Sequence, residues 1–290
     1  MIIKLTEERA EDLFHFYMRE RSSVPYYYPE TTYSEWYDSF FYDRDFDGRP
    51  LFKELNTYVA MSGGKIRGFI QFGLSNFVFS DSGRDYTDSY GIIRNLYFSA
   101  EVSDEEIGDS LAIAKVFFKE NGVEQPYAFF HYFGMTCFSR QGKLHQSEFQ
   151  SEEILREAGY ELEHENVYYT KVLADVSVLK NETVKLKYSD DMTQVAFLDS
   201  GRDGDYVVAQ AELTYLERIN LVYLRWIGVM PEFRHQGYGS RCMRALCSSL
   251  LDRGFRLLET DTADSNVTAQ HFYEKNGFRN RGIMRSYLIR

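Results

Sequence analysis

Apolar positions along this chain switch between helical spacing and strict alternation, and each switch marks an element. Ala10, Leu13, Phe14 and Tyr17 recur at helical spacing and predict an amphipathic helix from Glu7 to about Arg21, with Thr6 as its N-cap. A dense aromatic and acidic segment follows from Tyr26 to Asp47, and Ser34 to Phe41 within it reads as a second helix. Two alternating runs, Asn56–Met61 and Ile66–Phe72, flank Ser62-Gly63-Gly64-Lys65 and predict a hairpin. After a loop through Asp81–Asp88, Tyr90 to Phe98 reads as a strand. Ile107, Leu111, Ala114 and Phe118 mark a helix that stops at Asn121-Gly122. An aromatic strand from Pro126 to Phe133, a polar insertion from Gly142 to Gln150, a short glycine-stopped helix at Ile154–Tyr160 and a strand from Asn166 to Leu173 complete this round.

A second round begins near Val184. Gln194–Leu198 and Tyr206–Tyr215 form a hairpin around the turn cluster Asp199-Ser200-Gly201-Arg202-Asp203-Gly204-Asp205. Val222 to Val229 is a strand, Ser240 to about Arg253 a helix, Arg256–Thr260 a strand, Thr268–Lys275 a short helix and Arg281–Ile289 a closing strand.

The 290 residues are 44% apolar, enough for two domains with real cores. No apolar run approaches the ~18–20 residues that span a bilayer, and Met1-Ile2-Ile3-Lys4 carries no signal-peptide pattern. The expected setting is a reducing cytoplasm without membrane contact. Three cysteines cannot build a disulfide framework; Cys242 and Cys247 share a helix face with Met243, Leu246 and Leu250 and read as core, and none has zinc-ligand spacing. No metal is expected. The net charge of −11 is uneven: residues 181–290 carry 15 basic and 14 acidic side chains, the first 180 carry 18 and 30. Such an acidic chain lacks the basic footprint of a nucleic-acid binder. Its acidic half could attract a cationic acceptor, or serve solubility alone.

The chemistry concentrates in Val229-Met230-Pro231-Glu232-Phe233-Arg234-His235-Gln236-Gly237-Tyr238-Gly239-Ser240, between a strand and a helix. The first-turn N–H groups of a helix have no partners within it, and the helix dipole places positive charge at the same end. Gly237 and Gly239 let an anion approach the backbone, and Arg234 adds a guanidinium fork suited to phosphate. This strand–R-x-x-G-x-G–helix arrangement resembles the acyl-CoA-binding motif of the GCN5-related N-acetyltransferase (GNAT) superfamily. Downstream, Asn266-Val267-Thr268-Ala269-Gln270-His271-Phe272-Tyr273-Glu274-Lys275-Asn276-Gly277-Phe278 is similar to the family's second signature, N-x-x-A-x-x-x-Y-E-K-x-G-F. The resemblance covers roughly residues 183–290.

The order of elements in the first round matches the family's own, so the first half resembles a second copy. At an offset of 131, Arg94-Asn95-Leu96-Tyr97-Phe98 lies against the strand before the loop, Ser103 replaces Arg234, Glu106 replaces Gly237, and Gly108 matches Gly239. Ser103-Asp104-Glu105-Glu106 would set three carboxylates where a pyrophosphate sits, and like charge opposes binding there. Arg156-Glu157-Ala158-Gly159-Tyr160 likewise resembles Glu274-Lys275-Asn276-Gly277-Phe278, with Leu155 at the place of Tyr273. The resemblance implies an α/β (α+β) chain of two tandem GNAT-like domains, each a mixed, mostly antiparallel sheet flanked by helices. Residues 1–178 would be a degenerate copy with an acceptor-site or structural role, and 179–290 the copy that binds acyl-CoA. The second copy has no room for the helices that the family places between its first two strands, which leaves the first domain to supply that wall.

By the same resemblance, acetyl-CoA contacts Ile227, Gly228, Val229, Arg234, His235, Gln236, Gly237, Tyr238, Gly239, Ser240, Asn266, Ala269, Phe272 and Tyr273. Tyr273 aligns with the tyrosine that protonates the CoA sulfur in many members; it also reads as a packed aromatic beside Phe272 and Phe278. The strand before the loop carries Tyr223 and Arg225 but no carboxylate, so Glu212, Glu259 and Asp261 stand as substitute bases, each also readable as structural. The expected function is direct acetyl transfer from acetyl-CoA to a small amine through a tetrahedral intermediate, by a monomer or homodimer. A non-catalytic CoA-binding sensor is the alternative.

Overall fold

A computed structural model describes residues 1–45, 48–81, 83–139, 141–173, 184–202 and 204–290. Phe46 and Asp47 of the aromatic segment, Asp203 of the turn cluster and the 178/179 boundary lie outside the described residues.

The first round folds as β1 (Ile2–Lys4), α1 (Ala10–Glu20), α2 (Tyr33–Phe41), β2 (Phe52–Ser62), β3 (Lys65–Ser75), β4 (Val78–Ser80), β5 (Gly83–Asp85), β6 (Gly91–Phe98), α3 (Asp104–Glu120), β7 (Tyr127–Ala128), β8 (Leu144–His145), α4 (Phe149–Glu157) and β9 (Glu161–Val172). The second folds as β10 (Val184–Tyr188), β11 (Gln194–Arg202), β12 (Gly204–Leu216), β13 (Leu221–Val229), α5 (Tyr238–Asp252), β14 (Leu257–Ala263), α6 (Val267–Lys275) and β15 (Arg279–Leu288). No helix intervenes between β10 and β12, as the short connections dictated.

Two compact units emerge: Met1–Glu165 with Met284–Arg290, and Asn166–Ile283. They differ from a division at 178/179 because the closing strands are exchanged. Asn166–Val172 of β9 runs antiparallel to all of β14, so the last strand of the first round completes the second unit. The end of β15 pairs Tyr287 with Ala128 and Met284 with His145, completing the first unit. Within unit 1 the strand order is β1-β2-β3-β6-β7-β15, and only β6–β7 is parallel. Within unit 2 it is β9-β14-β13-β12-β11-β10, and only β13–β14 is parallel.

Thr6, expected to cap the first helix, makes no side-chain cap, and Glu7–Arg9 is a 3-10 turn before α1. Thr32 and Ser103 each close a capping box, with Glu35 and Glu106, onto α2 and α3. Part of the aromatic segment of unit 1 is core: Trp36 and Phe40 are fully buried and stack 4.4 Å apart, and Tyr26 and Tyr28 are nearly buried, whereas Tyr42 is exposed. Another expectation needs correction. The Pro126–Phe133 strand is only Tyr127–Ala128, because Phe129 takes a left-handed φ of 55° and ends the ladder. The polar Gly142–Gln150 insertion is in good part buried. Lys143, Leu144, His145 and Glu148 are buried, with Glu148 ion-paired to Arg21 at 3.0 Å and the Lys143 carbonyl accepting from Tyr26 at 2.8 Å. In unit 2, α5 lays Cys242, Met243, Leu246 and Leu250 onto Val222, Leu224 and Leu258 of the sheet.

Candidate active site

The site begins where two parallel strands part. β13 and β14 pair only from Leu221 to Tyr223 against Leu257 to Glu259. Beyond that, β13 stays with β12 and β14 stays with β9, and a wedge opens between Leu224–Val229 and Thr260–Ala263. The sequence causes the split through a bulge: Glu212 faces Trp226 but Leu213 faces Leu224, so Arg225 is the extra residue, tied to Glu212 at 3.1 Å. A bulge adds local twist and turns the strand away from its neighbour.

The same ladder decides which backbone groups face the wedge. Met230 N–H bonds the Val208 carbonyl at 2.9 Å, so in the antiparallel alternation Gly228 also faces β12. Ile227 and Val229 then turn their N–H and C=O groups to the open side. The Val229 carbonyl accepts from Arg234 Nε at 3.1 Å.

After Val229 the chain makes a 3-10 turn at Pro231–Phe233 and enters α5 through two left-handed residues, His235 (φ 60°) and Gly237 (φ 81°). Unlike α2, α3 and α6, α5 has no side-chain cap. The N–H groups of Gln236, Gly237, Tyr238 and Gly239 have no protein partner among the described residues. Arg234, His235 and Gln236 are exposed, and Arg241 lies over the Tyr238 ring at 3.9 Å, adding positive charge behind the loop. The Tyr238 hydroxyl donates to Asp199, which with partial burial pushes its pKa up. Gly239 lets α6 approach: a Cβ there would stand 3.0 Å from the Phe272 ring.

On the far wall of the wedge, neighbouring residues of β14 point to opposite faces. Thr260 points toward α6, donating to the Leu224 carbonyl at 2.8 Å and lying 3.4 Å from the Tyr273 hydroxyl. Tyr273 is 5% exposed and packed by Tyr169, Phe272 and Phe278, and burial, chiefly, holds its pKa above the usual tyrosine value. Asp261 points to the other face, where it accepts from the Tyr223 hydroxyl and the Asn166 amide. Glu259 is 1% exposed and thus closed to a substrate, whereas Asp261 is half-buried. Asn266 caps α6 by accepting from Ala269 N–H at 3.1 Å, the helix-entry role. Ala269 and Phe272 pack against the core beside it.

Residues 156–278 match the family model described as the acetyltransferase (GNAT) family. The [ribosomal protein bS18]-alanine N-acetyltransferase of Haemophilus ducreyi is 29% identical over 114 residues, 38% of this chain and 68% of that protein. A tandem GNAT protein from the clavulanic acid biosynthesis pathway shares the fold over 99% of this chain and 97% of its own, with a TM-score of 0.66 at 11% identity. Over residues 156–278 the chain is thus similar to the GNAT acetyltransferase family. A GCN5-related glucosamine N-acetyltransferase region of a fungal multi-domain β-N-acetylglucosaminidase has the same GNAT fold, with a TM-score of 0.65 at 14% identity; this chain covers 99% of itself and 38% of that protein.

The loop, the wedge strand and α6 lie together in unit 2. Sequence reasoning named Asp261 but missed Thr260 and the Tyr223 and Asn166 side chains that bond Asp261. Period-two alternation along β14 carried a signal for the first, since it sets Thr260 and Asp261 on opposite faces. In unit 1 the equivalent helix start is self-capped by Ser103 and Glu106, and the N-terminal ammonium sits on Glu106. Arg94, next to the point where β6 and β7 part, spends its guanidinium on Asp43 and the carbonyls of Ser39, Phe40, Phe133 and Gly134.

Proposed function

We propose that this chain is an N-acetyltransferase that moves an acetyl group from acetyl-CoA to a small amine, with the chemistry in unit 2. The observation that carries the reading is the uncapped start of α5 beside the open edge of β13. Four unpartnered N–H groups, the helix dipole and Arg234 suit a pyrophosphate. The outward N–H and C=O groups of Ile227 suit the amides of a pantetheine arm. Acetyl-CoA, when bound, supplies the activated thioester.

The chain's own groups then divide the work by face. Val229 N–H, free and turned into the wedge, donates to the carbonyl oxygen as negative charge develops on it. Asp261 takes the proton from the attacking nitrogen, and Tyr223 and Asn166 hold its carboxylate in place. Tyr273, on the α6 side, gives its proton to the leaving sulfur, and Thr260 fixes the phenol. The N–C bond forms first and the C–S bond then breaks as the carbonyl re-forms; one proton goes to Asp261 and one leaves Tyr273, so charge balances. The acidic balance of the chain favours a cationic acceptor. Unit 1 serves as a structural copy without a CoA site.

The test is thiol release from acetyl-CoA with a panel of small primary amines and a peptide bearing an N-terminal alanine. Release with small amines and not with the peptide supports the reading. Release with the peptide alone would overturn the acceptor class. No release with any amine leaves a CoA-binding sensor, which the doubly hydrogen-bonded state of Asp261 favours.

A further inference from the structure

A cleft of about 920 Å³ in unit 1, between α3 and α4, takes no part in the chemistry proposed above. Its origin is legible by setting the two copies side by side. α4 and α6 end alike: Gly159 and Gly277 take φ of 88° and 81°, and Tyr160 and Phe278 N–H reach back to Leu155 and Tyr273 carbonyls at 2.9 and 3.1 Å. That register sets Ile154 at the place of Phe272 and Tyr160 at the place of Phe278. The strand offset of 131 sets Gly108 against Gly239, although Gly108 lies about one turn further into its helix, since α3 starts at Asp104 and α5 at Tyr238. In unit 2 the Phe272 ring fills the space before Gly239. In unit 1 a Cβ on Gly108 would meet nothing within 4 Å. The glycine is retained, the ring is gone, and the cleft opens beside Gly108.

Three features say what would fill it. The floor is apolar, built on buried Ile93, Phe118 and Ile154. Tyr160 lines the cleft, is 6% exposed, and its hydroxyl has no hydrogen-bond partner among the described residues. That hydroxyl is not itself sealed from water, so it opens into the cleft and can donate to an acceptor there. Lys115 and Lys119 on the rim are opposed by Asp104, Glu124 and Glu157, so neither sign of charge is selected. The volume is that of a small-molecule site. We propose that this cleft binds a small, uncharged, mainly apolar molecule with one hydrogen-bond acceptor: its apolar body takes the place of the missing ring and its acceptor meets the Tyr160 hydroxyl.

The probe is 6-propionyl-2-(dimethylamino)naphthalene, a neutral naphthyl ketone whose emission shifts to the blue out of water. Titrated against the intact chain, it should show one saturable site that excess acetyl-CoA does not displace. Ile154→Phe, which restores the ring, and Gly108→Leu, which grows into open space, should each weaken binding at least about 10-fold by filling the site. Tyr160→Phe deletes one oxygen and should weaken binding about 2- to 10-fold, the worth of one neutral hydrogen bond. Gly108→Leu also removes a glycine from a helix interior, so its Tm should not fall. Absence of a saturable site, binding unchanged in all three variants, or displacement by acetyl-CoA would each overturn the proposal.

Discussion

Replacing Tyr273 with Phe removes one oxygen from a ring that has two possible duties. As packing, the ring touches Tyr169, Phe272 and Phe278 with centroids 5.6, 5.4 and 5.3 Å away. Phe keeps all of that. Truncation to Ala would cost about 3–5 kcal/mol by cavity formation and would confound any rate measurement. The lost oxygen has one weak contact, Thr260 Oγ1 at 3.4 Å, and Thr260 keeps its 2.8 Å bond to the Leu224 carbonyl. No buried group is orphaned, so the stability change should stay below about 1 kcal/mol. As a general acid, the same oxygen should be worth about 10²–10⁴ in kcat. The assay pairs thermal unfolding with dye-detected thiol release at saturating acetyl-CoA and amine. Because burial, with Asp261 adding to it, raises the Tyr273 pKa, the wild-type rate should show no loss from this group below about pH 10. A variant that folds normally and keeps its rate within about threefold would refute the acid role and leave Tyr273 as core.

Asp261→Asn should lower kcat about 10²–10⁴ near neutral pH, with the deficit shrinking as pH approaches the amine's own pKa, where no base is needed; a pH profile parallel to wild type would sink the base assignment. Gly237→Ala should cost about 1–2 kcal/mol in denaturant unfolding, since φ is 81° and nothing crowds its Cβ, while Gly237→Asn should cost less; equal stability of Ala and Gly would mean the loop does not hold the left-handed turn. Burial raises the pKa values of Tyr17, Tyr26 and Tyr160 in unit 1, so the folded state favours the neutral phenols. That stability is fully present below the unfolded value of about 10 and is lost as pH rises beyond it, so the urea midpoint should fall above pH 10 and part of the 295 nm titration should coincide with unfolding. A titration complete near pH 10 with the fold intact would contradict it.

The legible parts of this molecule were the local ones. The α5 loop follows from glycine spacing and the lack of a cap, and α3 from Ser103 and Glu106, because caps and left-handed turns depend on residues two or three apart. What depends on register was hidden. Tyr223, Asp261 and Asn166 meet only because β9 lies beside β14, which follows from the exchange of closing strands and not from any motif. The bulge at Arg225 opens the wedge, yet nothing in Leu224-Arg225-Trp226 distinguishes it from an even strand. Within the polar Gly142–Gln150 run, Lys143 and Glu148 are buried because Arg21 and Tyr26, more than a hundred residues away, supply partners that no local pattern shows.

The central claim is that one acyl-CoA site exists and that the α5 start forms it. Calorimetric titration with acetyl-CoA tests this most directly, on the wild-type chain and on an Arg234→Ala, Gly237→Val double variant whose Tm is checked beforehand. The account predicts one site per chain, lost in the double variant. No binding to the wild type, two sites, or stoichiometric binding that survives in the double variant would contradict it.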